Sequence, residues 1–367
     1  MDFRAAVLTA IDAPLTIERV TLDTLAPGDV LIRNRASGLC HTDLEVIGGQ
    51  LAYPLPIVLG HEGAGVVEDV GSAVTQVRPG DTVVASWNPH CGHCFYCERD
   101  LPILCEPFTR HQPAGRMLDG QSRLRWRGAT LHHFSVVSSH AEYSVVPESG
   151  AIKVPATMPF DRACLIGCGV MTGVGAVSRL ARVEAGAGVT VIGCGAVGLN
   201  AIQAAAMELA APVIAVDRSD YKLALATRFG ATHVLPADAH ALDRIRALTQ
   251  GRGADHVFEA AGSQAALQLA LEATRPGGQL VILGKTDVQR QVSLRFGSLM
   301  GEKRITRSSY GGARPRRDFP WLAQLYLDGK LNLDELISSR APLERINDGF
   351  DAMRRGEGIR HVITFDP

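Results

Sequence analysis

The stretch Val189-Thr-Val-Ile-Gly193-Cys194-Gly195-Ala-Val197-Gly198, answered by Val213-Ile-Ala-Val-Asp217, decides the fold. Val189-Thr-Val-Ile is apolar and β-branched and reads as a buried strand. Val197 to Leu209 reads as an Ala-rich helix, and Val213 to Asp217 as the next strand. A G-x-G-x-x-G match alone is weak. Here it leaves a strand, opens a helix and is followed by an acid at the end of the next strand, which is the setting of a dinucleotide-binding βαβ unit. Gly193, Gly195 and Gly198 would let the backbone approach a pyrophosphate at the helix N-terminus. Asp217 would accept hydrogen bonds from the adenosine ribose and repel a 2′-phosphate, which favours NAD; Arg218 beside it is the residue that could greet such a phosphate.

Working outward, the same rhythm continues. Tyr221 to Phe229 reads as a helix stopped by Gly230, Asp255-His-Val-Phe as a strand, Gln264 to Thr274 as a helix and Gly278-Gln-Leu-Val-Ile-Leu as a strand. Strand and helix alternate at the spacing of right-handed βαβ units, so residues 170–306 predict an α/β unit with a doubly wound parallel sheet. The first 150 residues differ. Val30-Leu-Ile-Arg, Gly65-Val-Val-Glu-Asp-Val and Asp81-Thr-Val-Val-Ala are short apolar runs between Pro-Gly turns, which predicts a compact barrel-like β domain. Beyond Arg307 come a helix near Phe319 to Leu327 and a strand at His361-Val-Ile-Thr-Phe.

Composition narrows the function classes. The 367 residues are 46% hydrophobic, enough to bury full cores in two or three domains. Lys and Arg number 37 against 38 acids, for a net charge of −1, so no basic stripe for nucleic acid is expected. No run of about twenty apolar residues is read, so no membrane span is expected. The start of the chain lacks a signal-peptide pattern, and a cytoplasmic protein is the expectation.

Cys91-Gly-His-Cys94-Phe-Tyr-Cys97-Glu-Arg-Asp-Leu-Pro-Ile-Leu-Cys105 puts four thiols within reach of one tetrahedral ion. Four thiolates at about 2.3 Å close a zinc shell and leave no position for substrate, so this lobe, about 88–108, reads as a structural zinc site. Chemistry needs an open site. Cys40 in Gly-Leu-Cys-His-Thr-Asp, His61 in Gly-His-Glu-Gly-Ala-Gly and Cys168 in Ile-Gly-Cys-Gly-Val are candidate ligands. Cys/His/Cys with one vacancy is a catalytic zinc set, although spacing alone does not show that the three converge.

Together these motifs, in this order and over nearly the whole chain, resemble the zinc-dependent medium-chain alcohol dehydrogenases. The resemblance implies a GroES-like β-rich catalytic domain from residues 1–169 and 307–367, and a Rossmann NAD-binding domain between them. It implies NAD, two zinc ions per chain, a small alcohol or aldehyde as substrate, and a homodimer or homotetramer. It makes Cys40, His61 and Cys168 the catalytic zinc ligands and Glu62 the nearby carboxylate. Asp43 would orient His61. Thr42 would take the alcohol proton, and Glu45 stands where many members end the relay with histidine. A carboxylate there has a reference pKa of about 4.3. His41 and Arg360 would face the pyrophosphate, Lys222 the adenosine ribose, and Thr172 and Val197 the nicotinamide. Leu51 and Trp87 would line the substrate pocket, with Leu283 and Lys285 nearer the cofactor and mouth.

The implied reaction is reversible hydride transfer between a primary alcohol, aromatic or medium-chain, and NAD. The resemblance is to the class III-like branch, which includes thiol-dependent formaldehyde dehydrogenases that also reduce S-nitrosothiols. Animal-type members hold the glutathione carboxylate with an arginine at the position of Thr109; here Arg110 lies one residue away. Glutathione or another thiol such as mycothiol is therefore the alternative, and a non-catalytic protein on the same fold the third reading. Cys164 and Cys194 have no assigned role.

Overall fold

The structure, a computed structural model, describes residues 1–286 and 289–366. The chain forms two compact units, Met1–Cys168 with Arg314–Pro367, and Gly169–Ala313.

The second unit is a six-stranded parallel sheet ordered His233–Pro236, Val213–Asp217, Val189–Ile192, Ala254–Glu259, Thr274–Ile282, Arg304–Arg307. In chain order that is 3-2-1-4-5-6, the doubly wound nucleotide-binding arrangement, whose ligand crevice lies where the order reverses. Val189–Ile192 is central, pairing Val189 with Val213 on one side and with His256 on the other. Its side chains are buried, as both faces are covered by helices. Ala254–Glu259 and Gln264–Ala273 match the elements read from the sequence closely, while the helix Ala241–Leu248 went unread. The core beneath them joins Ile192, Ile214, Val257, Leu271 and Leu280.

The first unit holds a small closed barrel and a seven-stranded sheet. The sheet's longest strand, Asp29–Gly38, runs antiparallel to Glu62–Val70 with Gly38 opposite Glu62 and Ser37 opposite Gly63. This register makes Cys40 and His61 leave the sheet at the same end. Arg360–Thr364 pairs along the other edge of Asp29–Gly38. Phe134, Leu39, Ile47, Ile57 and Phe350 pack at that end and exclude water from it.

The helical run Phe160–Ala181 has 22 residues and is long and apolar enough to cross a membrane by length and composition; 72% of its most apolar window is buried in the protein, so it is a core helix. Its small residues, Gly167, Gly169, Gly173, Gly175 and Ala176, break the run of large apolar side chains by which such a helix is usually noticed.

Candidate metal centres and dinucleotide turn

Cys40 ends the strand segment and is the N-cap of the short helix His41–Ile47. Asp43, at the third helical position, turns back to accept the Cys40 N–H at 3.0 Å. Reciprocal bonding of this kind fixes the first turn of a helix. The same carboxylate reaches the second segment, accepting from Gly60 N at 3.2 Å and facing His61 Nδ1 at 3.3 Å. It thereby holds the proton on Nδ1 and leaves Nε2 free to ligate. The Phe134 ring stands edge-on to His61 at 5.4 Å. Cys168 arrives on a π-helical turn, Ile166–Val170, an irregularity that re-aims one residue within a helix and recurs at functional sites.

One donor atom each from Cys40, His61, Glu62 and Cys168 lies within 4.8 Å of the other three. The donor set itself suggests what it holds. Burial pushes the Glu62 carboxyl up to about 7, against the pull of Arg360. Among the described residues its oxygens accept no hydrogen bond, and the Arg360 guanidinium stands 3.3 Å from Oε1. A hydrogen bond from Cys168 holds Cys40 well below the ordinary thiol range; the same bond, with burial, holds Cys168 well above it. The two thiols thus share a proton beside an unbonded carboxylate. A soft dication resolves that crowding, and two sulfurs, one imidazole and one oxygen suit zinc. Asp43 is fully buried, which would raise it, yet His61 and His140 hold it far below the usual carboxylate range.

The second cluster is local. Cys91, Cys94, Cys97 and Cys105 bring their sulfurs within 4.8 Å of one another on a segment coiled by the 3-10 turns Cys97–Arg99 and Pro102–Leu104. Cys91 Sγ and Cys97 Sγ are 4.0 Å apart. Four sulfurs at about 2.3 Å from one tetrahedral ion would stand about 3.8 Å apart, so the spacing fits. The Cys91 amide points at Cys105 Sγ at 3.3 Å and the Glu106 amide at Cys94 Sγ at 3.5 Å, the contacts a thiolate accepts. Burial pushes the Cys105 thiol up to about 12; at Cys94 the Glu106 amide and neighbouring thiols outweigh burial and lower it to about 6.

The remaining first-unit residues fall as follows. Thr42 Oγ1 is 3.9 Å from Cys40 Sγ. Glu45 lies partly buried on the same helix and His41 is exposed. Leu51 packs on the core around Phe134 and Ile57. Trp87 packs on the barrel core, its ring 6.4 Å from Phe108. Arg360, expected to face a pyrophosphate, is buried with Nη2 4.0 Å from Cys40 Sγ and against Glu62. His140 went unnoticed in the sequence, because Ser-Ser-His140-Ala carries no motif; the structure puts it, fully buried, behind Asp43.

In the second unit, Gly193 leaves the central strand at φ +96° and Gly195 caps the helix Ala196–Met207. A Cβ on Gly198 would strike the Gly193 carbonyl oxygen at 1.8 Å, so the helix meets the turn only through glycine. Gly195, by contrast, faces open space where a phosphate group would come. Asp217 accepts from Cys194 N at 2.7 Å and Ser219 N at 2.9 Å, tying the second strand to the turn. A carboxylate has about four acceptor positions, so ribose hydroxyls can still bond there, and the turn fits a dinucleotide. Arg218 is exposed, Lys222 half-buried in the first turn of Asp220–Arg228, Leu283 buried and Lys285 exposed. Thr172 and Val197 lie on two helices whose close approach passes through Gly173.

The family model for the alcohol dehydrogenase GroES-like domain matches residues 26–156, and that for zinc-binding dehydrogenases matches residues 196–328. An alcohol dehydrogenase class-3 of Cereibacter sphaeroides is 39% identical, with all of both chains covered. The S-(hydroxymethyl)glutathione dehydrogenase of Paracoccus denitrificans is 38% identical, again over both whole chains. Among solved structures, benzyl alcohol dehydrogenase from Acinetobacter calcoaceticus superposes with a TM-score of 0.94 at 31% identity over 100% of each chain.

Proposed function

We propose that this chain, which belongs to the zinc-dependent medium-chain alcohol dehydrogenase family, oxidises primary alcohols, aromatic or medium-chain, to aldehydes with NAD, and runs in reverse on aldehydes. The observation that carries this reading is the convergence of buried Cys40 and His61 with half-buried Cys168, beside the unbonded Glu62. Membership makes it an NAD-dependent oxidoreductase acting on CH–OH groups.

Cys40, His61 and Cys168 would hold the catalytic zinc, and Cys91, Cys94, Cys97 and Cys105 the structural one. Bound zinc supplies a Lewis acid that polarises the substrate oxygen. Every other part is played by the chain. Asp43 fixes the His61 tautomer. Glu62 is a spare oxygen donor within reach of the same ion, and Arg360 limits the negative charge that three anionic groups would build up there. The Thr42 hydroxyl, near Cys40, is the group suited to receive the alcohol proton, and Glu45 on the same helix the group suited to pass it on. In the second unit the Gly193–Gly198 turn would seat the pyrophosphate and Asp217 the ribose, which favours NAD over NADP.

The likeness to a benzyl alcohol dehydrogenase supports an aromatic substrate. The S-(hydroxymethyl)glutathione dehydrogenases at 37–38% identity support a second reading, a thiol-adduct substrate. Thr109, whose hydroxyl bonds the Cys105 carbonyl, favours the first. NAD reduction with benzyl alcohol, set against formaldehyde with and without glutathione or mycothiol, separates them; activity that needs a thiol would overturn the first. Exposed Phe296, Met300 and Ile305 near the edge strand Arg304–Arg307 support association of this chain with itself.

A further inference from the structure

Asp43 has no exposed surface, and four N–H groups converge on it. Three bonds are described above, from Cys40 N, Gly60 N and His61 Nδ1. The fourth group is His140 Nε2, 3.7 Å from Asp43 Oδ2, within ion-pair distance and longer than a hydrogen bond. This nitrogen is buried and has no hydrogen-bond partner among the described residues. His140 itself has no exposure. Its other nitrogen, Nδ1, is 2.8 Å from Ser37 Oγ, which is 2.7 Å from Ser139 Oγ. With the Ser37 hydroxyl donating to Nδ1, the ring proton sits on Nε2 and points at Asp43.

The ring is wedged. Gly60 has φ +91°, and a Cβ there would stand 2.6 Å from both the backbone nitrogen and Nδ1 of His140. Gly60 immediately precedes His61, so the ring braces the turn that presents the ligand. Phe350 closes the far side at 5.8 Å. A filler role needs no nitrogen: a phenylalanine ring would fill the same volume, whereas a buried N–H without a partner costs about 1–3 kcal/mol. A carboxylate has about four acceptor positions, and His140 stands at the one left open.

We propose that His140 is a positioning residue of the metal centre: through Nε2–H it completes the set of donors on Asp43, and so fixes His61 and strengthens the hold of Cys40, His61 and Cys168 on zinc. The inference rests on reading those three residues as a zinc site.

The test is zinc affinity by chelator competition, with the visible spectrum of the cobalt-substituted protein as a readout besides turnover. His140→Phe keeps the ring and removes the donor. It is expected to weaken zinc at this centre by about tenfold, the lower end of what partners of metal ligands contribute, and to shift the cobalt spectrum. The four-cysteine lobe should keep its ion in the same sample. His140→Gln, which can place an N–H near the same point, should recover most of the affinity. Ser37→Ala, which frees the ring to take the other tautomer, should move affinity in the same direction by less. If His140→Phe fails to fold, Ser37→Ala decides. Zinc affinity within twofold of wild type and an unchanged cobalt spectrum in folded His140→Phe, or in Ser37→Ala where His140→Phe does not fold, overturn the inference. A wild-type protein that binds one zinc rather than two overturns instead the reading on which it rests.

Discussion

Two clusters of sulfur ligands sit in one unit, and they are built in opposite ways. The Cys91–Cys105 lobe takes its four donors from one short, partly exposed coil, and backbone amides of that coil point at the sulfurs. The Cys40 cluster takes its donors from three distant segments, buries all but half-buried Cys168, and ties two of the segments together through the side chain of Asp43. A local coil can close a shell by itself. A site that must stay open to substrate has to be framed by the rest of the fold, and that frame carries an unbonded carboxylate and a buried arginine. The contrast separates what stabilises from what reacts.

His61→Ala is the hardest test of that separation. It removes a ligand of the open site while leaving the lobe whole. Turnover with NAD and benzyl alcohol should fall by roughly a thousandfold or more, the loss of several kcal/mol of Lewis-acid stabilisation. Metal analysis should show one zinc per chain retained. Near-normal turnover would erase the distinction between the two clusters.

Arg360→Met leaves Glu62 buried without a cation. Breaking a buried pair of this kind costs about 3–5 kcal/mol, and the loss of melting temperature should be larger in zinc-free protein than in zinc-loaded protein. An equal loss in both would mean that Glu62 and the metal do not share a site.

Cys97→Ala acts on the other side of the comparison. The lobe should open locally and the protein lose roughly 2 kcal/mol, or about 4–8 °C in melting temperature. Turnover per folded molecule should change by less than about threefold. Normal stability with lost turnover would reverse the roles assigned to the clusters.

The last test concerns a buried group outside both sets of ligands. Burial, and then Arg123, depress the His133 imidazole to about 3, against about 6.5 in an unfolded chain. The unfolded state therefore binds the extra proton between those values. The stability that neutral His133 contributes is fully present above about pH 6.5 and is lost as pH falls toward about 3, by up to about 1.4 kcal/mol per pH unit. His133→Gln should flatten this slope in acid-unfolding titrations. Without that control, acid release of zinc and acid unfolding cannot be told apart.

The second unit was the most legible part of the sequence, because buried parallel strands are continuous apolar runs and the glycine turn falls between two of them. The lobe was legible for a related reason: its ligands are close in sequence, so spacing alone carries the geometry. Cys40, His61 and Cys168 required a family resemblance, since no local pattern says that the ends of three segments meet. The register that joins two of them, Gly38 opposite Glu62, is set by tertiary pairing. His140 and the Arg360 contact with Glu62 lay beyond both kinds of reading, because burial of a charge depends on what surrounds it in space.

The antiparallel pairing of Arg360–Thr364 with Asp29–Gly38 has a consequence for how the molecule is made. The Arg360–Cys40 contact joins residues 320 apart in the chain. During synthesis the α/β unit, 169–313, leaves the ribosome complete while the β unit still lacks two strands of its sheet, Ile337–Ala341 and Arg360–Thr364, and the guanidinium beside Glu62. Domains fold as units as they emerge, so the dinucleotide module can fold first and the reactive module is finished last. The order of synthesis thus keeps the open metal centre from being completed until the dinucleotide module is already made.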